Sequence, residues 1–172
     1  VKLLNADLPH KTLASAVHLN INCKAGVKQA ITAIQASVYQ YEACLDTNHF
    51  LIERMVSAPR AEFIAGVSHK SGVGHALVIG RGGTDVEELK DFTTLLLPTS
   101  SAQIQEALQS LRITRRLQLH ETDIAAVTQT IYNIALFADH VRNKLVELDV
   151  NPILLDASGD VTAVDAYLRI RD

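Results

Sequence analysis

Apolar residues open the chain in short runs and then settle into helical spacing. Residues 1–5 are short and apolar, and in AVHLNIN (16–22) Val17, Leu19 and Ile21 alternate with polar neighbours. A period of two sends successive side chains to opposite faces, so both stretches are expected to be strands. From Lys24 to Leu45 the residues Val27, Ala30, Ile31, Ile34, Val38 and Tyr41 recur every three or four positions, which predicts a helix ending near Asp46-Thr47-Asn48. FLIERMV (50–56), AEFIAGVSH (61–69), GHALVIG (74–80) and TTLLLP (93–98) read as strands. Ser57-Ala58-Pro59-Arg60 separates the first two as a turn, and Gly80-Arg81-Gly82-Gly83 closes GHALVIG. A helix capped at Ser100/Ser101 carries Ile104, Leu108 and Leu111. Another, from about Thr122, aligns Ile124, Val127, Ile131, Ile134, Ala138, Val141 and Leu145. Strands joined by tight turns, with helices interspersed irregularly, imply an α+β fold with a mostly antiparallel sheet.

The last element, VELDVNPILLDASGDVTAVDA (146–166), is expected to be a hairpin. Asp156 and Asp160 flank the loop Ala157-Ser158-Gly159, and a three-residue hairpin loop wants glycine at its left-handed position. Centring the ladder on Ser158 pairs 155 with 161, 153 with 163 and 151 with 165. Asn151 and Asp165 then face each other, with Cβ atoms roughly 4.5–5.5 Å apart. They share a face by parity with 153, 155, 161 and 163. A hard cation such as Mg²⁺ takes oxygen ligands, usually one or two from protein and the rest from water and substrate phosphates. Asn151 and Asp165 suit that task, and Asp149 offers a third oxygen. A plain Asn–Asp hydrogen bond across a sheet edge uses the same geometry, and on geometry alone it is the first reading.

Composition narrows the classes. The 172 residues are 48% apolar and 20% charged, enough for one core or for two small lobes. A net charge of −3 gives no electrostatic case for nucleic acid or an anionic membrane surface. No apolar run reaches the length of a membrane span and nothing resembles a signal peptide, so a cytoplasmic setting is expected. Cys23 and Cys44 lack metal-ligand spacing and are expected to be small buried hydrophobes in a reducing compartment. The chain opens at Val1 directly into a strand, which suggests a piece of a longer polypeptide.

Several segments, in order, resemble one family. ELDVNPILL…VTAVDA is similar to the Glu-Leu-Asp-x-Asn-Pro…Val-Asp-Ala signature of the ATP-grasp domain of NDP-forming acyl-CoA synthetases, which include succinyl-CoA synthetase β chains. ERMVSAPRAEFIAGV resembles that family's central strand pair, and VGHALVIGRGGTDVEELKD its Gly-x-Gly-Gly…Val-Glu…Asp segment. KLLNADLPHKT is similar to its Lys…Asp-Ile-x-His-Lys-Ser/Thr stretch. The resemblance implies an ATP-grasp fold of two small lobes with its N-terminal part missing. Residues 1–50 would be the partial N-terminal lobe, and 51–172 the C-terminal lobe carrying the metal hairpin.

The resemblance also implies roles. Lys2 falls on the lysine that grips nucleotide phosphates, Glu53 lies in the strand used as a hinge against adenine, and Glu62 takes the position that accepts ribose hydroxyls. Asn151 and Asp165 fall on the Mg²⁺ ligands, and His10 is a candidate second phosphoryl carrier. Cofactors would be ATP and Mg²⁺, with CoA on a partner domain. The partners implied are the CoA-binding/phosphohistidine domain or subunit of the same enzyme and a small carboxylic acid, with no nucleic acid and no membrane. The reaction would be acid, CoA and ATP giving acyl-CoA, ADP and phosphate.

Three positions depart from the family pattern. After His10-Lys11-Thr12 the family usually shows an acid, a small residue and two glycines; here stand Leu13-Ala14-Ser15-Ala16. Leu117-Gln118-Leu119-His120 replaces an Arg-Gly before the long helix, and Val73 replaces a phenylalanine. Gly82-Gly83 remain, but without the Lys-Ser/Thr of a P-loop they read as a turn. The alternative function is therefore a degenerate ATP-grasp domain with a structural or nucleotide-sensing role in a multidomain CoA-binding or acyltransferase protein. Alone, the chain is expected to be inactive as a ligase.

Overall fold

The computed structural model describes residues 1–8, 11–56, 59–83 and 90–171. It divides into two compact units, Val1–Met55 and Val56–Asp172.

In the first unit a short strand β1 (Lys2–Leu3) is followed by helix α1 (Lys24–Tyr41) and strand β2 (Phe50–Leu51). The two strands pair antiparallel, Lys2 opposite Leu51 and Leu3 opposite Phe50. Helix α1 buries Ala30, Ile34 and Val38, one residue per turn on a single stripe. That stripe joins Leu3, Leu8, Ala14 and Ala16 in a small core. The alternation in 16–22 does not yield a strand: Val17 makes one isolated bridge to Lys2, and Leu19 is exposed. Asn20 turns the chain with φ +58°, so the stretch has no continuous partner edge. The expected strand over 50–56 likewise shortens to two residues. Neither cysteine is buried. Cys23 caps α1, its sulfur accepting the Gly26 N–H at 3.4 Å, and Cys44 lies exposed beside Glu42. The Glu42 carboxylate accepts the Cys44 S–H and pushes the thiol pKa up.

The second unit is a six-stranded antiparallel sheet with helices packed on one face. Its strands are β3 (Ala61–Lys70), β4 (Gly74–Arg81), β5 (Phe92–Leu96), β6 (Leu145–Leu155), β7 (Val161–Ala163) and β8 (Ala166–Ile170). They run in the order β5-β4-β3-β6-β7, with β8 also paired to β6. Between β5 and β6 come α2 (Ser101–Ser110), α3 (Arg112–Arg116) and α4 (Glu121–His140). Ser100 caps α2 reciprocally with Gln103, as its sequence position predicts. The inward positions Ala61, Phe63, Ala65 and Val67 of β3 meet Leu77 and Ile79 of β4, Ile104 and Leu108 of α2, and Val127 and Ile131 of α4. Strand β8 and the short α3 were not foreseen; each is only five residues long and carries little periodicity of its own. Among the described residues no helix is long and apolar enough to cross a membrane.

Candidate functional site

The closing hairpin takes the register its loop dictates. Gly159 sits at φ +88°, a left-handed position that costs a side-chain-bearing residue about 1 kcal/mol or more. Asp156 organises the turn: its carboxylate accepts the N–H groups of Ser158 and Asp160 and the Ser158 hydroxyl, at 2.8–3.0 Å. The Ser158 hydroxyl, more than the backbone donors, holds the Asp156 pKa below the ordinary carboxylate value. Leu155 pairs with Val161 and Ile153 with Ala163. Farther along, Val150 pairs with Ala166 in the same register. Between these anchors Asn151 faces Asp165, and the Asn151 N–H donates to the Asp165 carbonyl at 3.1 Å.

One detail of the expected geometry is corrected. Toward β3, strand β6 changes register between Phe63/Ile153 and Ala65/Val150, so Asn151-Pro152 forms a bulge. Leu148 and Val150 point into the core before it, and Ile153 and Leu155 after it. Asn151 therefore does not share a face with Ile153 and Leu155, as simple parity implies. It is exposed and belongs with Asp149, on the side away from Leu148 and Val150. Asp149 is half-buried opposite Gly66 and Tyr167, and Asp165 is half-buried too. A Cβ built on Gly66 would stand 3.3 Å from Asp149 Oδ1, so the glycine leaves room for that carboxylate to lie across β3.

The Asn151 amide has no hydrogen-bond partner among the described residues, so a direct Asn151–Asp165 side-chain bond does not consume it. Three oxygen-bearing side chains on one strand pair suit a hard divalent ion. Among the described residues, no three His, Cys, Asp or Glu side chains make a ready-built metal cage. Mg²⁺ keeps waters and phosphate oxygens in most of its places and so does not require such a cage.

In the first unit, Lys2 and Glu53 meet. Lys2 Nζ lies 2.9 Å from Glu53 Oε2, with the lysine side chain 11% exposed and the glutamate 46%. A nearly buried ammonium needs such a counter-charge. His10 lies outside the described residues.

Glu62 of β3 faces the loop after β4. Gly82 N–H donates to the Glu62 carbonyl at 2.7 Å, and a Cβ on Gly83 (φ +101°) would stand 3.3 Å from Glu62 Oε2. Here the chain forms a cleft of about 700 Å³ that Glu62 and the glycine pair help to line. Nearby, Asp123 near the start of α4 is buried and pairs with Arg60 at 2.7 Å. Burial alone would raise the Asp123 pKa. The Arg60 hydrogen bond, the His120 N–H and the neighbouring charges outweigh it and hold the carboxyl below its usual value. Neither Asp123 nor the arginines of the cleft stood out in the sequence. The available signals were an aspartate three residues after a helix cap and the four-residue spacing of Arg112 and Arg116.

The sequence and the fold have relatives among known proteins. The profile of the ATP-grasp domain matches residues 1–170. The chain belongs to the ATP-grasp family. This ATP-grasp domain is 26% identical, over 99% of its length, to the acetate–CoA ligase [ADP-forming] II subunit beta of Pyrococcus furiosus, and covers 74% of that subunit. It is 28% identical to the 4-hydroxybutyrate–CoA ligase [ADP-forming] of Nitrosopumilus maritimus, covering 92% of this chain but 23% of that longer one. Among solved structures, a Pyrococcus horikoshii protein superposes with TM-score 0.88 at 26% identity, over 99% of this chain and 73% of that one. A Candidatus Korarchaeum cryptofilum acetyl-coenzyme A synthetase, solved with coenzyme A and Ca-AMPCP, shares the fold with TM-score 0.88 at 20% identity, over 99% of this chain and 75% of that one. The domain is thus homologous to modules of NDP-forming acyl-CoA synthetases, enzymes built from several domains or subunits. ATP binding follows from the fold.

Proposed function

We propose that this ATP-grasp domain is the nucleotide-binding module of an ADP-forming acyl-CoA synthetase, which joins a carboxylic acid to CoA at the expense of ATP. The observation that carries the reading is the opposition of Asn151 and Asp165 across the β6–β7/β8 junction, with Asp149 beside them and the Asn151 amide unspent. Asn151 and Asp165 are the residues that would hold Mg²⁺. The ion, when bound, neutralises phosphate charge during phosphoryl transfer.

Lys2 supplies a positive charge for phosphate oxygens, and Glu53 keeps that ammonium oriented while no ligand is present. Glu62 accepts hydrogen bonds from a vicinal diol such as that of ribose. Val1–Met55 and Val56–Asp172 serve as the two lobes of the module, the boundary falling after β2 and not at the expected 50/51. CoA and the phosphohistidine belong to a partner domain or subunit, in keeping with the multi-domain and multi-subunit build of the relatives. His10 is the candidate phosphoryl carrier on this chain, since a neutral imidazole is nucleophilic near pH 7.

A second reading, an ATP-grasp domain that binds nucleotide without turning it over, is favoured by one observation. Ser15 occupies a left-handed conformation (φ +50°) at a position where the synthetases usually show glycine. Calorimetry with ATP, with and without Mg²⁺, separates the two readings from no binding at all. The synthetase reading requires Mg²⁺-dependent binding that weakens in Asn151→Ala and more strongly in Asp165→Ala. Acid-labile phosphate on His10, with ATP and the partner domain present, tests its role as a carrier, and none appearing removes His10 from the mechanism. Metal-indifferent binding favours the sensing role.

A further inference from the structure

Away from the hairpin, the second unit gathers cations in its cleft of about 700 Å³, a volume in the range of small-molecule sites. Arg60 from the turn before β3, Arg81 from the end of β4, and Arg112 and Arg116 from α3 all line it. Arg112 and Arg116, four residues apart, lie on one side of their helix. Among the described residues, the lining carboxylates beside these four guanidinium groups are Glu62 and Asp91.

Among the described residues, the ion pairs at this cleft engage Arg60 and Arg112. Arg60 is committed to Asp123 at 2.7 Å. Asp91 spends its largely buried carboxylate on the start of α3, accepting the Arg112 and Ile113 N–H groups at 2.8 Å each, with Arg112 Nε 3.7 Å away. Arg81 and Arg116 form no ion pair among the described residues. Guanidinium groups collected in one concavity repel each other, and an entering anion removes that repulsion. Their planar donors match a phosphate, which at neutral pH carries close to two charges. The glycine pair keeps one wall free of side chains: a Cβ on Gly82 would stand 3.1 Å from the Phe63 carbonyl oxygen.

We propose that this cleft binds the phosphate group of a small molecule, held by Arg81 and Arg116 without a metal ion. The site uses neither Asn151 nor Asp165, so it goes beyond the nucleotide reading and stands or falls apart from it. Glu62 is common to both and is left unchanged in the test.

The test is calorimetric titration of the purified protein in EDTA with inorganic phosphate, pyrophosphate and ADP in turn. Saturable binding of at least one of them is expected, weakened about tenfold or more in the combined Arg81→Ala and Arg116→Ala variant. Binding is expected to persist in Asp165→Asn, and in part in Arg81→Lys with Arg116→Lys, which keeps the charge and loses the fork. ADP bound more tightly than pyrophosphate identifies a nucleotide as the source of the phosphate. Equal affinities identify the phosphate group itself, and either result upholds the site. Thermal unfolding checks that each variant folds; if Arg81→Ala does not, the exposed Arg116→Ala alone carries the comparison. No saturable binding of any probe overturns the proposal. So does binding unchanged by removal of the two arginines, or binding that only Asp165→Asn abolishes.

Discussion

The hairpin of residues 145–170 and the turn at residues 11–16 both resemble functional segments of the same family, yet their backbones are held differently. In the hairpin the left-handed position is filled by Gly159, at φ +88°, and on neighbouring β3 Gly66 stands where a Cβ would press on Asp149. The turn keeps its path without that help. Ala16 N–H donates to the Lys11 carbonyl at 2.8 Å, and its carbonyl accepts the Leu3 N–H at 3.0 Å, while Ser15 is held at φ +50°. Buried Ala14 and Ala16 tie this turn to the core of its unit. Packing there imposes a conformation that glycine would adopt freely. On the proposed reading, metal binding at the hairpin and phosphoryl relay at the turn rest on separate segments and can be lost separately.

The sharpest way to test that contrast is at the hairpin. Asp165→Ala is expected to weaken Mg²⁺-dependent ATP binding by at least about a hundredfold, and Asn151→Ala, which removes a neutral ligand, by about tenfold. Calorimetry at fixed free Mg²⁺ reads both. Arg60→Ala leaves the buried Asp123 carboxylate without its cation; because Arg60 is itself 43% exposed, the expected loss is limited to about 2 kcal/mol of unfolding free energy in urea. Ser15→Gly is expected to stabilise the first unit by about 1 kcal/mol, by relieving the left-handed backbone. A destabilised Ser15→Gly would show that the serine side chain, and not its backbone, shapes the turn. Gly66→Ala must move the Asp149 carboxylate by a few tenths of an ångström and is expected to lower Mg²⁺ affinity about threefold.

Acid titration gives the smallest effects. Asp123 and Asp156 have folded pKa values below those of an unfolded carboxylate, so their stabilisation is complete above about pH 4. It disappears as pH falls through the folded values. Asp123→Asn and Asp156→Asn should each flatten the acid limb of a stability–pH profile while leaving the neutral region's slope unchanged.

Much of the hairpin was legible because its chemistry is local. Asp156, Gly159 and the loop length together set the register, and the register sets which residue faces Asn151. The bulge at Asn151-Pro152 was not legible: it arises from pairing with β3, some ninety residues earlier in sequence, and it reversed the parity argument for Ile153 and Leu155. Strand pairing likewise decided against 16–22, whose alternation is real but whose neighbours offer one bridge. The arginine cleft was invisible for the same reason, since Arg60, Arg81 and Arg116 converge from three separate segments. The Lys2–Glu53 pair also joins residues far apart in sequence. The resemblance named both residues, but only the β1–β2 register brings them together.

The measurement closest to the central claim is the affinity for ATP with and without Mg²⁺, taken on the unaltered protein and on Asp165→Ala side by side. Tight binding that needs the ion, and that the substitution abolishes, is the predicted result. Equal affinity in all four conditions would contradict a metal site between Asn151 and Asp165.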